Sequence, residues 1–218
     1  MKIQWIGHAC FCITSQTGLK VITDPYEPGF RNTIQYGPVN ESADIVTVSH
    51  DHGDHNHLPS VHGKPVVVKG SGTMSIKGIE FKGIAVYHDR VKGAERGPNT
   101  MFVFQLDGIR LAHLGDLGHP LSLGQLAELA GTEILFAPTG GPAATLELQE
   151  VINLWESLKP RIVIPMHFKT AKCTFPKYGA EDVVRLVPDA KRTGASELSM
   201  TEEGLPHSNQ ILIVDPLR

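Results

Sequence analysis

The stretch Ser49-His50-Asp51-His52-Gly53-Asp54-His55 constrains this chain more than any other. Three imidazoles and a carboxylate fall at positions 50, 52, 54 and 55, in the order His-x-His-x-Asp-His. Just before it, Asp44-Ile45-Val46-Thr47-Val48-Ser49 is a β-branched run that predicts a short buried strand. The cluster therefore lies at the carboxyl end of a strand, where a rigid sheet hands over to a loop and α/β proteins build their sites. Imidazole and carboxylate donors suit Zn²⁺, Fe²⁺ or Mn²⁺, and neutral histidine binds without a costly deprotonation. His50 and His52 converge only from a tight turn, which leaves Asp54 and His55 to point at a second position. Such a split supports a pair of metals roughly 3.5–4 Å apart. A solvated loop that happens to be rich in histidine is the bland alternative, and the spacing argues against it.

The same pattern recurs at other strand ends. Ile84-Ala85-Val86-Tyr87 stops at His88, Leu111–Leu114 runs through His113 to Gly115-Asp116, and the strand 161–165 ends near His167. Singly, each is explained by a satisfied core histidine or a turn-capping aspartate. Jointly, they let the chain close around the His50–His55 cluster.

The rest of the chain reads as alternating short elements. Residues 2–24 predict two or three strands, the last stopped by Pro25. Segment 25–43, rich in proline and glycine, reads as a loop over one end of a sheet. Lys64-Pro65-Val66-Val67-Val68 predicts another buried strand, and 74–87 two more. Asp107-Gly108 between two apolar runs is a hairpin signal joining 101–106 to 109–114. Helices are expected at 122–130, at 145–159 with Thr145 as N-cap and Pro160 as stop, and near 180–187. Strands at 133–138, 161–165 and 210–214 complete the pattern. Two groups of strands, each with helices, suggest two sheets packed face to face with helices outside.

At 218 residues, with 41% hydrophobic and 20% charged side chains, the chain suits one large soluble domain spanning 1–218. A net charge of −3 gives no bulk attraction for nucleic acid, and no apolar run of bilayer-spanning length is present. The N-terminus enters a strand pattern directly, without a signal-peptide core. Three cysteines argue against a disulfide framework and for a reducing, cytoplasmic compartment. Cys10 and Cys12 share one face of a strand, with Cys173 far away in sequence; all three are expected as buried small hydrophobes.

Taken together, His50-x-His52-x-Asp54-His55, His88, Gly115-Asp116 and His167 resemble the motif set of the metallo-β-lactamase superfamily. Trp5-Ile6-Gly7-His8-Ala9-Cys10-Phe11, Asp24-Pro25 and Ile164-Pro165-Met166-His167 resemble the branch that includes ascorbate-6-phosphate lactonase-like hydrolases. The resemblance implies an α/β fold, a four-layer αββα sandwich with the site between the sheets. It implies a dinuclear centre, zinc first with manganese or iron as alternatives. His50, His52 and His88 would hold one metal; Asp54, His55 and His167 the other; Asp116 would bridge. His113 also precedes Asp116 and competes with His88 for its place. His8 and Asp24 would orient ligand imidazoles, and His119 could face a substrate. Asp54 and Asp116 would be the catalytic carboxylates, in a hydrolase whose metal-bound hydroxide attacks an ester, lactone or related bond of a small substrate.

Other functions remain open from the sequence. A phosphodiesterase or nuclease of the same superfamily lacks here an inserted arm or clustered basic stretch. A di-iron oxygen or nitric oxide reductase would need a flavin domain. A non-catalytic metal-binding protein, of a different class, would be expected to have lost ligands. Asp54→Asn separates that class from a hydrolase, since only turnover should fail. Arg90, Arg96, Lys169 and Lys172 each follow a ligand-bearing strand and could meet an anionic substrate. Homo-oligomerisation is compatible with everything above.

Overall fold

Alternate residues of the first strands face two different apolar surroundings, and that alternation builds the molecule. In the computed structural model, which describes residues 1–142 and 144–218, these strands are β1 (Lys2–Gly7), β2 (Cys10–Thr14), β3 (Lys20–Thr23), β4 (Ile45–Val48) and β5 (Val66–Lys69). Phe11, Ile13, Val21 and Ile45 point inward to the main core, whereas Cys10, Cys12, Ile22 and Val46 point to a second, outer cluster. A strand buried on both faces reads as a continuous apolar run, which is why the β4 sequence lacks a polar side.

The remaining strands are β6 (Gly72–Ile76), β7 (Ile79–Tyr87), β8 (Pro98–Leu106), β9 (Ile109–His113), β10 (Ile134–Pro138), β11 (Ile162–Met166), β12 (Lys191–Arg192), β13 (Glu197–Ser199) and β14 (Gln210–Ile213). They form a six-stranded sheet in the order β13-β1-β2-β3-β4-β5 and an eight-stranded sheet in the order β12-β14-β11-β10-β9-β8-β7-β6. Antiparallel meanders open each sheet, and parallel strands follow: β3-β4-β5 in the first, β9-β10-β11-β14 in the second. The inner faces share one core in which Phe11 and Phe136 meet with ring centroids 4.5 Å apart. Truncating a buried aromatic of this kind to alanine typically costs about 3–5 kcal/mol.

The helices α1 (Leu123–Glu128), α2 (Leu148–Leu158) and α3 (Ala180–Leu186) all follow β9. α2 packs against β10 through Leu148, Val151, Ile152 and Trp155, the apolar stripe its sequence predicts. Its start differs from expectation: Glu147, not Thr145, is the N-cap, and its backbone N–H donates to Glu150 at 3.2 Å. Thr145 instead closes a turn, its hydroxyl accepting from Gly141 N–H. A left-handed Lys159 before Pro160 ends the helix.

On the outer face of the six-stranded sheet the covering layer is the 25–43 segment rather than an α-helix. Tyr26, Ile34, Tyr36 and Val39 cover Cys10, Cys12, Ile22, Val46 and Val48. Cys173 joins this same cluster, so the sequence distance from Cys10 and Cys12 disappears in the fold, and all three thiols are free and buried. β5 departs from the expected buried strand. It is the sheet edge, with Val66 and Val67 exposed by 40% and 41%. β12 and β13 are too short to leave a periodic signal. Among the described residues, no helix is long and apolar enough to cross a membrane.

Candidate metal centre

The ends of β1, β3, β4, β7, β9 and β11 deliver His8, Asp24, His50–His55, His88, Asp116 and His167 to one place between the sheets. Three of these residues leave their strands through left-handed backbone: His8 (φ 55°), Asp24 (φ 37°) and His167 (φ 53°). Such conformations cost about 1–3 kcal/mol each in an L-residue and persist only where the surroundings fix them. Here the fixing bonds are visible. His167 N–H donates to His8 C=O at 3.1 Å, and Asp24 N–H to Thr47 C=O at 2.9 Å. Gly115 (φ 53°) turns β9 toward Asp116 where a Cβ would stand 2.4 Å from Asn99 Oδ1. Gly118 lets the same loop touch the His88 backbone, which a Cβ would approach to 2.3 Å.

A buried relay sets the imidazole tautomers. Asp24 accepts from Ser49 N–H at 2.8 Å, from Ser49 Oγ–H at 2.5 Å and from His55 Nδ1 at 2.9 Å. With its hydrogen committed to Asp24, Ser49 Oγ can only accept from His50 Nδ1, 2.9 Å away. His55 and His50 therefore each donate through Nδ1 and present a bare Nε2 lone pair to the centre.

Those lone pairs converge. Asp116 Oδ2 lies 3.1 Å from His88 Nε2, 3.2 Å from His55 Nε2, 3.2 Å from His167 Nε2 and 3.9 Å from His50 Nε2. None is aligned as a hydrogen bond, and among the described residues His55 Nε2, His167 Nε2 and Asp116 Oδ1 have no partner although buried. His50 Nε2 also faces His52 Nδ1 at 3.0 Å. Among the described residues the donors fall into three groups whose members lie within 4.8 Å of one another: His50-His52-His88, His8-Asp54-His55-His167, and Asp24-His50-His55, which links the first two. Unpaired buried lone pairs are costly unless something cationic takes them, so this donor set fits divalent metal.

The electrostatics agree. Burial opposes the ionisation of Asp116, yet the imidazoles of His167, His55 and His88 hold its carboxyl well below the usual range. Burial likewise opposes Asp54, which His55 and His8 hold low. Burial pushes His50 well below its ordinary value and lowers His52, keeping both neutral as ligands must be. His55 goes the other way: burial disfavours its charge, but Asp116 and Asp54 outweigh that and raise it. A buried cluster of carboxylates calls for positive charge, which a divalent cation held there would supply.

The remaining candidates separate clearly. His113 is fully engaged with backbone, Nε2 toward Ala9 C=O at 2.9 Å and Nδ1 accepting from Gly115 N–H at 3.2 Å. Of the two rivals, it is His88 whose ring faces Asp116. His8 comes closer than an orienting role requires: Nε2 lies 3.3 Å from Asp54 Oδ2, and Nδ1 3.7 Å from Cys173 Sγ. His119 does not meet the cleft, because it accepts from Tyr87 N–H and faces Pro120 C=O, tied to the end of β7. Arg90 is taken by Glu150, and Lys169 and Lys172 line a different cavity.

Over the centre opens a cleft of about 450 Å³, lined on its floor by His52, Asp54, His88, Asp116 and His167. Phe30, Arg31, Phe175 and Arg96 contribute to its walls. Sequence reasoning passed over three supporting residues. Ser49 completes the relay; its place beside His50 was the available signal. Asn99 donates to Leu114 C=O and accepts from Asp116 N–H at 3.1 Å, with nothing in its sequence context to announce it. Asp89 accepts backbone N–H from Val91, Gly93, Glu95 and Arg96, which holds its carboxyl down to about 2 although desolvation opposes this.

The fold and this centre are those of a metallo-hydrolase sandwich, and comparison with known proteins places the chain. The family profile described as "Beta-lactamase superfamily domain" matches residues 2–167, and the chain belongs to the metallo-beta-lactamase superfamily. A crystal structure from Thermotoga maritima, described provisionally as a Zn-dependent hydrolase of that superfamily, is 32% identical with TM-score 0.78, covering 98% of this chain and 99% of the other. A metal-dependent hydrolase of Archaeoglobus fulgidus is 27% identical over 198 residues, 78% of this chain and 84% of that protein. The isothiocyanate hydrolase from Delia radicum gut bacteria shares the fold, with TM-score 0.67 at 14% identity and coverage of 97% and 96%.

Proposed function

We propose that this protein is a hydrolase that uses two divalent ions, zinc foremost, to cleave an ester, lactone or related bond of a small substrate. The observation that carries this reading is the convergence of four imidazole Nε2 atoms on Asp116 Oδ2 within 3.1–3.9 Å. The Thermotoga and Archaeoglobus relatives are both described as metal-dependent hydrolases, which supports it. His50, His52 and His88 would hold one ion, Asp54, His55 and His167 the other, and Asp116 would span them. When bound, such ions lower the pKa of a shared water from roughly 15.7 toward about 7 and polarise the bond under attack.

The protein's own groups do the rest. Asp24 and Ser49 keep the His55 and His50 rings turned. Asp54, ionised and beside His8, is placed to guide or accept a proton at Oδ2. No protein nucleophile is required, and the thiols are unsuited to that role because burial raises Cys10, Cys12 and Cys173, the last to about 12. A cleft of about 450 Å³ fits a small molecule rather than a polymer. Three free cysteines support a reducing, cytoplasmic setting.

Elemental analysis of purified protein tests the reading, alongside turnover of lactones, carboxylic esters and phosphodiesters. About two metals per chain, with losses in His50→Ala and Asp116→Ala, are expected. Less than about a tenth of an equivalent after incubation with Zn²⁺ or Mn²⁺ would overturn it.

A further inference from the structure

We infer that the substrate of this cleft carries an oxyanion, a carboxylate or phosphate remote from the bond cleaved, and that Arg31 and Arg96 bind it. The inference rests on the hydrolase reading above and specifies its substrate class. Both arginines line the cleft whose floor holds the metal-ligand candidates. Among the described residues, neither guanidinium forms an ion pair or a side-chain hydrogen bond, whereas two other cations near the cleft do. Arg90 meets Glu150 and Lys69 meets Asp51. An arginine left unmatched beside a site is a bidentate donor available for a carboxylate or phosphate.

Both side chains are also held on fixed backbone. Arg31 stands in left-handed conformation (φ 49°) in the turn closed by Asn32 N–H to Gly29 C=O at 2.9 Å and Thr33 N–H to Phe30 C=O at 3.0 Å. Its guanidinium lies over the Phe30 ring, 5.1 Å from the centroid, which orients the fork and leaves its N–H edge free. Arg96 ends the loop knotted by Asp89, which takes the Arg96 backbone N–H at 2.8 Å. The one carboxylate among the other wall residues, Glu95, is exposed and follows the same loop. Phe30, under the Arg31 guanidinium, and Phe175, its ring 5.4 Å from that of His167, add apolar wall, so the chemistry that fits is an anionic head, a short apolar body and a hydrolysable bond at the centre.

The test compares succinate with butanoate, its isostere lacking the second carboxylate, as calorimetric ligands of the metal-loaded protein. Either acid can offer one carboxylate to the centre; only succinate offers another to the arginines. Wild type should bind succinate about tenfold more tightly, a preference that weakens as salt is raised. Arg31→Gln and Arg96→Gln should each bring the ratio to within about twofold of one, and Arg96→Lys should restore part of it. Metal content in each variant checks that the centre is intact. A wild-type ratio near one, or a preference that survives in either glutamine variant, would overturn the subsite. Binding needs no turnover, so that outcome is distinct from failure of the hydrolase reading. Hydrolysis of 4-nitrophenyl butanoate, measured separately, reports on the latter.

Discussion

The two donor sets of the centre are built to different standards. On the Asp54-His55-His167 side everything is buried: His55 and His167 are both 0% exposed, and His8 packs against His167 with ring centroids 4.0 Å apart. His55 is also anchored to Asp24, itself fixed by Ser49 and by left-handed backbone. On the His50-His52-His88 side, His50 alone has an outer prop, through Ser49. His52 is half-buried with its ring against those of His50 and His88, and among the described residues His88 Nδ1, like His167 Nδ1 on the other side, has no partner. One side is buried and anchored at His55 by Asp24, and the other leaves His52 with more room. Preorganisation favours tight, slowly exchanging metal, and adaptability favours an ion that can change its coordination during a reaction.

Removing Asp24 attacks the rigid side hardest. Asp24→Ala strands the Ser49 N–H, the Ser49 hydroxyl and the His55 ring, and should destabilise the fold by about 3 kcal/mol or more in denaturant titration. Ser49→Ala, which keeps the Ser49 N–H bond to Asp24 and removes only the hydroxyl between Asp24 and His50, should cost less, about 1 kcal/mol. Equal costs would break the comparison. His52→Ala comes next: the protein should keep about one metal per chain and surrender the other to mild chelation, as followed by elemental analysis. Loss of both ions together would show that the halves are not independent. The smallest effect concerns the three buried thiols. At pH 8 the native protein should react with an aromatic disulfide reagent far more slowly at all three cysteines than it does in urea, because burial raises each thiol.

Much of this was legible in the chain. The His50–His55 spacing, the strand-terminal His88, Asp116 and His167, and the Asp107-Gly108 hairpin are local signals, and local patterns survive folding unchanged. What the sequence withheld depends on long-range packing. His113 and His88 look alike as strand-end histidines; only the packing of β9 against the turn after β1 commits one of them to backbone. The 25–43 segment reads as loop because its buried side chains follow no period, yet it roofs a sheet. Val66-Val67-Val68 is as apolar as a central strand and lies at an edge, since composition reports the face of a sheet better than its border. Arg96 was among four basic candidates that sequence alone could not separate, and Arg31, in an irregular segment, has neighbours in space that are far away in sequence.

The knot at Asp89 has one more consequence. A single carboxylate fixes four backbone N–H groups of the loop from Val91 to Arg96, so apart from Gly93, whose φ of 83° and close approach to Gly97 call for glycine, its shape depends little on which side chains it displays. Residues 90–92 and 94–96 can therefore be exchanged, with Gly93 kept, without unravelling the path they follow. A lineage of such proteins could acquire new preferences by rewriting this loop alone, and a laboratory library confined to it, with Asp89 retained, would explore selectivity at little expense in folding.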